Sequence, residues 1–194
     1  MRQTFIFTII CVFCFSSCIS YRLTPTLILE DARINNENGI GTINSPAKRF
    51  ENESIVFVFE NSANSFNFLI ENKVNSPLLL VLDEASVIDI DGFSYRLISG
   101  DTRALFSSLS QVPIPISPNG TVKVNLIMSR QLNGSNVENF FPKVSKSKKR
   151  LLNAYNYVIE HENFYKFYLP VKNTVSNEVT QYEFVLKIDG LQAI

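Results

Sequence analysis

The segment Ser86–Ile98 has the sequence SVIDIDGFSYRLI and decides the fold class. Two short apolar runs, Ser86–Ile90 and Phe93–Ile98, flank the dipeptide Asp91-Gly92. A two-residue turn of type I′ needs a positive φ at both central residues, and Asp-Gly is a pair that supplies it readily. The segment therefore predicts a β-hairpin closed by a type I′ turn.

Short apolar runs separated by turn residues continue on both sides of this hairpin. In Thr121–Met128 they alternate with period two, so the valines and Leu126 point inward while Lys123 and Asn125 point outward. The final pair of runs predicts a hairpin with an inward face of Tyr182, Phe184, Leu186 and Ile188. The other strand candidates, including that pair, are Thr26–Ile34, Ser54–Glu60, Ser65–Glu71, Leu78–Leu82, Phe164–Val171 and Thr180–Ile188.

Three other segments lack the strand pattern. We expect Asn35–Pro46 and Asn133–Lys149 to be polar loops. The segment 99–120 contains three prolines, which excludes a regular central strand because proline removes ladder donors. Apolar residues in Arg150–Glu160 follow helical spacing and predict a short helix.

Strands that recur without intervening helices favour an antiparallel β-sandwich over a parallel sheet. We therefore expect an all-β, immunoglobulin-like sandwich of about eight strands with one short helix. A small closed β-barrel, such as that of a lipocalin, is the alternative.

The composition excludes two classes of protein. Lys and Arg together number 18, as do Asp and Glu, and this balance argues against nucleic acid as a partner because phosphate binding needs a basic surplus. Phe (16) and Tyr (7) are too abundant for a disordered chain.

The amino terminus has the order of a secretory leader. Arg2 precedes an apolar stretch, Phe5–Phe15, of about 11 residues, which is shorter than a membrane-spanning helix needs. The stretch ends in Phe15-Ser16-Ser17-Cys18, which resembles the lipobox of bacterial lipoproteins, with Phe15 where leucine is usual. The resemblance implies cleavage after Ser17 and a lipid such as palmitate on Cys18.

The lipobox resemblance sets the domain limits and the location. We expect a signal peptide at 1–17, a lipidated tether at 18–26 and a single β-sandwich domain at 27–194. Cys11 and Cys14 leave with the leader, so Cys18 is the only cysteine of the mature chain. Because Ile19 and not Asp follows Cys18, the resemblance favours the outer membrane.

The mature chain also resembles a group of small envelope lipoproteins of uncharacterised role. The resemblance rests on FLIENK at 68–73, IDIDGFSYRLI at 88–98, FFP at 140–142 and YEF at 182–184. It implies a β-sandwich and an envelope address, and it implies no reaction.

Chemistry-bearing residues are sparse. His161 is the only histidine, it lies among Glu160, Glu162 and Asn163, and no nucleophile motif accompanies it, so we expect no enzyme activity. No metal or cofactor is expected either, because no second histidine or free cysteine could complete a site. Asp89 and Asp91 are the best candidate cation ligands or paired carboxylates, but a hairpin turn also explains them.

The basic residues suggest other contacts. The run Lys143–Arg150 could touch anionic headgroups or form a solvated loop. Arg96 and Arg103 could each form an ion pair with Asp89 or Asp101, or bind a partner.

We therefore expect a membrane-anchored envelope lipoprotein that acts as a structural or protein-interaction module, with an envelope protein as its partner. The alternative is a glycan- or lipid-binding module. It would expose an aromatic patch drawn from Tyr155, Tyr157, Tyr165 and Tyr168.

Overall fold

The computed structural model describes residues 20–21, 23–38, 40–60, 62, 64–101, 109–133, 136–137, 144–145, 153, 156 and 164–193. Within them the chain is a succession of β-strands with one 3-10 turn, Ser129–Gln131, and two helical residues, Asn153 and Asn156. The strands are β1 (Ser20–Tyr21), β2 (Leu23–Ile34), β3 (Glu37–Asn38), β4 (Thr42–Asn44), β5 (Arg49–Glu51), β6 (Ile55–Glu60), β7 (Phe66–Asn72), β8 (Leu78–Leu80), β9 (Ser86–Ile88), β10 (Ser94–Ser99), β11 (Ile114–Ile116), β12 (Thr121–Met128), β13 (Leu132–Asn133), β14 (Asn136–Val137), β15 (Val144–Ser145), β16 (Phe164–Asn173) and β17 (Val179–Ala193). The predicted all-β class is confirmed.

Most of these strands form one curled antiparallel sheet. Its order is β3-β2-β17-β16-β9-β10-β12-β7-β6-β5-β4, while β8 joins β16 and β11 joins β8. The first half of β10 pairs with β9 and the second half with β12, so this strand belongs to both halves of the sheet. The sheet folds over as a half-barrel, and its two halves face each other as the layers of a sandwich do.

Aromatic rings fill the space between the two halves. Phe66 of β7 meets Phe167 of β16 edge to face, with centroids 4.6 Å apart, and Phe59 of β6 meets Phe184 of β17 at 5.0 Å. Such pairs are worth about 0.5–1.5 kcal/mol beyond the area they bury. The inward face predicted for the last hairpin is confirmed, because Tyr182, Phe184, Leu186 and Ile188 are all buried.

Several predicted boundaries change. The tether predicted for 18–26 is shorter, because β2 begins at Leu23 and pairs with the end of β17. The loop predicted for Asn35–Pro46 contains the short strands β3 and β4. The helix predicted for Arg150–Glu160 lies almost wholly outside the described residues, of which Asn153 and Asn156 are helical and exposed.

The predicted hairpin around Asp91-Gly92 is confirmed, but the predicted type I′ turn is wrong. Gly92 has a positive φ of 80° and Asp91 does not. The N–H of Gly92 donates to the carbonyl of Asp89, and Oδ1 of Asp89 accepts from the N–H groups of Asp91 and Phe93, both at 3.0 Å. This carboxylate holds a three-residue loop with a left-handed glycine at its end, the next most common hairpin connection.

Strand directions divide the molecule into two ends. β2 starts at Leu23, and we call the end where it starts the tether end. Because β9 runs antiparallel to β16, and β16 parallel to β2, the β9–β10 turn lies at the tether end. The Ser129–Gln131 turn follows β12 at the same end. The other end, which we call the far end, carries the turns 35–36, 52–54, 73–77, 117–120 and 174–178.

Asparagines shape the turns of the far end. Asn35, Asn36, Asn119 and Asn177 have φ between 50° and 66°, a left-handed conformation that asparagine tolerates better than most residues. The side chain of Asn173 accepts from the N–H groups of Val175 and Ser176. The asparagine-rich composition therefore serves to turn the chain.

Asn72 joins two of these turns from a fully buried position. Its Nδ2 donates to the carbonyls of Ser76 (2.8 Å), Ser117 (3.1 Å) and Ile116 (3.3 Å), and its Oδ1 accepts from the N–H of Val74 (3.0 Å). Every polar atom of this side chain is thus engaged, which ties β7 to the segment that follows β11.

Replacing Asn72 with leucine should lower the free energy of unfolding by about 3 kcal/mol, because it leaves several backbone groups without a partner. Urea denaturation of the unlipidated chain measures the change. Asn75→Ala is the matched control, since Asn75 is exposed and accepts one side-chain bond from Asn119. A loss as small as that of the control would show that the Asn72 bonds do not hold the turns together.

The outer edge of β2 is occupied by side chains. Ser45 Oγ donates to the carbonyl of Leu29, and Oδ1 of Asp31 accepts from the N–H of Ala32 at 2.9 Å. The pairing of β2 with β17 shifts register at Val185/Leu186 and again at Ile188/Gly190. The two bonds occupy the outer edge at Leu29 and Ala32, and the two bulges shift the pairing on the other edge of β2.

Candidate functional site

Several predicted site residues lie outside the described residues: Cys18, Arg103, Tyr155, Tyr157, His161 and most of the basic run 143–150. Arg96 and Tyr165 are described, as are the acidic candidates Asp89, Asp91 and Asp101. The structure therefore describes only some of the predicted site residues, and these do not form a single site.

Arg96 forms an ion pair with Asp83, so neither of its predicted partners, Asp89 and Asp101, takes that position. Asp83 also accepts from the Ser110 hydroxyl and, at 2.6 Å, from the N–H of Gln111. The hydrogen bonds from Gln111 and Ser110, with the charge of Arg96, hold the pKa of Asp83 below its usual value. This arrangement fastens the segment before β11 to β10, which is a structural role.

Asp89 and Asp91 do not act as a pair. Asp89 is buried, and its Oδ2 lies 2.8 Å from Arg130 Nη1 without hydrogen-bond alignment, which makes the contact an ion pair. Asp91 is exposed at the tip of the turn. Arg130 also lies over the Tyr95 ring at 4.7 Å, so this group of side chains attaches the Ser129–Gln131 turn to the hairpin.

Tyr165 does not belong to an exposed aromatic patch, and that prediction is wrong. Its side chain is 1% exposed and its ring meets Phe66 at 5.3 Å. The cause is strand alternation, because Phe167 points into the core and Tyr165, two residues earlier, must do the same. Tyr168 lies three residues after Tyr165, and this odd spacing places it on the outer face of the sheet, where it is half-buried.

The described residues contain no group of three or more His, Cys, Asp or Glu side chains arranged to hold a metal ion. In the same part of the chain, no helix has the length and the apolar character that a membrane span requires.

Two open grooves lie away from the tether end. The first, of about 620 Å³, runs beside β11 and is mostly apolar, with Leu82, Leu109, Val112 and Ile114 among its lining residues. The second, of about 580 Å³, lies between Gly41 and Ser54 and contains Glu51 and Lys73. Hydrogen bonds from Lys73 and Arg49 lower the pKa of Glu51 to about 2, so this carboxylate is ionised at any physiological pH.

A row of side chains, apolar except for Lys172, crosses the outer face of the sheet toward the far end. Register places Val179 beside Lys172, Lys172 beside Leu79, and Leu79 beside Pro115. We call Val179, Leu79 and Pro115, with Val175 of the adjoining turn and Val112 of the first groove, the far-end patch. Val112 is 83% exposed and Val175 73%.

Comparison with protein families, with curated proteins and with solved structures found no match for this chain. The candidate site therefore rests on the geometry of this chain alone. Its main residues were not predicted from the sequence. Phe93, Val112 and Val175 are large apolar residues in turns or loops, and that placement was the available signal. Apolar residues in such segments have no strand neighbour to cover them.

Proposed function

We propose that this protein is a lipoprotein of the bacterial outer membrane, held by a lipid on Cys18, and that it acts by binding another envelope protein and not by catalysis. The observation that carries the proposal is the short path from Cys18 to the fold. Only four residues separate Cys18 from Leu23, where β2 begins. A lipid on Cys18 would thus hold one defined end of the sheet near the membrane.

The close packing of the interior supports a role in which the protein presents a binding surface to a partner. Large aromatic side chains from both halves of the sheet fill it, including Phe57, Phe68, Phe167 and Phe184, all at most 1% exposed. Close packing of this kind makes a rigid body. Such a body, anchored at one end, holds its other end at a fixed distance from the anchored end.

The far-end patch is the surface we propose for the partner. It lies about 40 Å from the start of β2, because β2 has twelve residues at about 3.3 Å each. Register places Val179, Lys172, Leu79 and Pro115 side by side, and Val175 lies in the turn between β16 and β17. This is a mixed apolar surface of the sort that protein interfaces bury at their centre.

Palmitate labelling tests the anchor, and photo-crosslinking in intact cells tests the surface. A photo-reactive amino acid at Val175 or Val112 should give a discrete adduct with one envelope protein. The matched control is Lys123, whose side chain is 61% exposed on the opposite half of the sheet. Adducts of equal yield at all three positions, or at Lys123 alone, would contradict the proposed surface.

A further inference from the structure

Phe93 is the most exposed aromatic side chain among the described residues, at 62%. It directly follows Gly92 at the end of the β9–β10 turn. Single exposed apolar side chains are common on folded surfaces, so the exposure of Phe93 indicates a contact only in combination with its position in the fold.

The turn that carries Phe93 is held on several sides. The backbone N–H of Phe93 donates to Asp89 Oδ1, and its carbonyl accepts from the N–H of Asp89 at 2.9 Å. Asp89 is itself buried and paired with Arg130. The backbone under the exposed ring is therefore fixed, and the ring would lose little conformational freedom on entering an apolar medium.

The Phe93 turn and the amino-terminal tether lie at the same end of the sheet. β9 runs antiparallel to β2 and reaches its turn at the tether end. The chain from Cys18 to Leu23 spans at most about 18 Å when fully extended. Register sets Ile88 opposite Asp31, so the turn lies about level with Ile28, roughly 17 Å along β2 from Leu23. A tether of that reach can place a lipid on Cys18, and with it the bilayer surface, beside the turn.

The surroundings of the turn suit the interface of a bilayer. Two strands away from Ser94, Lys166 lies on the outer face of β16 with its ammonium 5.2 Å from the centre of the half-buried Phe164 ring. Aromatic rings beside lysine side chains are typical of segments at headgroup level, where the ring enters the acyl boundary and the ammonium stays with the headgroups. The exposed carboxylate of Asp91, at the tip of the same turn, would lie among the headgroups.

We propose that Phe93 is a second membrane contact, entering the headgroup boundary of the bilayer that holds the lipid of Cys18. This inference rests on the proposed function, since it needs the lipid to bring the membrane near. The second contact adds orientation to attachment. A lipid alone permits the body to tilt freely, and a contact three strands away from β2 in the sheet order restricts that tilt.

The absence of tryptophan from the chain allows a direct test. Phe93→Trp gives a protein with a single tryptophan at the proposed contact, and Val175→Trp gives the matched control at the far end. Both are prepared as the lipidated, mature full-length protein and reconstituted into vesicles that contain bromine-labelled phospholipid. Tryptophan emission is recorded in detergent-free buffer with and without acrylamide.

The expected result is a blue-shifted emission for Phe93→Trp, with strong quenching by the brominated lipid and weak quenching by acrylamide. Val175→Trp should show the reverse. Equal quenching by acrylamide at both positions, in protein that floats with the vesicles and carries palmitate, would overturn the contact and leave the anchor intact. Protein that lacks palmitate and does not float would instead refute the proposed function itself.

Discussion

Replacing Phe184 with alanine should lower the free energy of unfolding by about 4 kcal/mol. Phe184 has no exposed surface, and its ring meets those of Phe57 at 4.9 Å, Phe59 at 5.0 Å and Phe50 at 5.4 Å. Three rings from two strands of one half of the sheet, β5 and β6, thus meet this one residue of the other half. The substitution removes their common neighbour and leaves a cavity that the surrounding strands cannot close.

Urea denaturation of the unlipidated chain measures this loss. Phe93→Ala is the control, since it deletes the same side chain at an exposed position and should change stability by less than about 0.5 kcal/mol. Similar losses for the two variants would mean that the Phe184 ring is not packed between the halves of the sheet.

Replacing Cys18 with serine should abolish incorporation of palmitate and release the protein from the membrane fraction. The expected effect is nearly complete, because the anchor of a lipoprotein carries more than one acyl chain and a serine at this position cannot take the thioether-linked lipid. Metabolic labelling, followed by separation of inner and outer membranes on a density gradient, measures both label and location.

Cys14→Ser serves as the control for Cys18→Ser. Cys14 lies in the apolar stretch of the predicted leader, so this variant should be labelled and sorted as the unaltered protein is. Palmitate on Cys18→Ser, with membrane attachment retained, would contradict the lipoprotein proposal. Label in the inner-membrane fraction alone would correct the location and keep the anchor.

The sequence predicted those parts of the fold that depend on local pattern. Alternation in Thr121–Met128 and in the last hairpin identified Leu126, Phe184 and Leu186 as core residues, and they are buried. A strand with one buried face needs period two, so such residues can be assigned before any partner strand is known. The β9–β10 hairpin was predictable for a similar reason.

Other features depend on distant parts of the chain and could not be predicted. The choice of Asp83 as the partner of Arg96 follows from the path of β8 and β11, which local pattern does not fix. The turn type at Asp91-Gly92 was mispredicted because Asp89, outside the dipeptide, accepts the N–H groups that determine the backbone conformation. Side-chain bonds to the turn outweighed the preference of the dipeptide itself.

The bonds that cover the outer edge of β2 would matter if the protein is tethered to a membrane, as we propose. Copies tethered to one membrane meet each other at a much higher effective concentration than free molecules do. An open strand edge under such crowding would invite pairing between copies and growth of aggregates. Ser45 and Asp31 are bonded to the edge at Leu29 and Ala32, and β3 covers it at Arg33 and Ile34. This part of β2 offers a neighbour no continuous ladder, so copies held on one membrane by the proposed anchor would not pair along it.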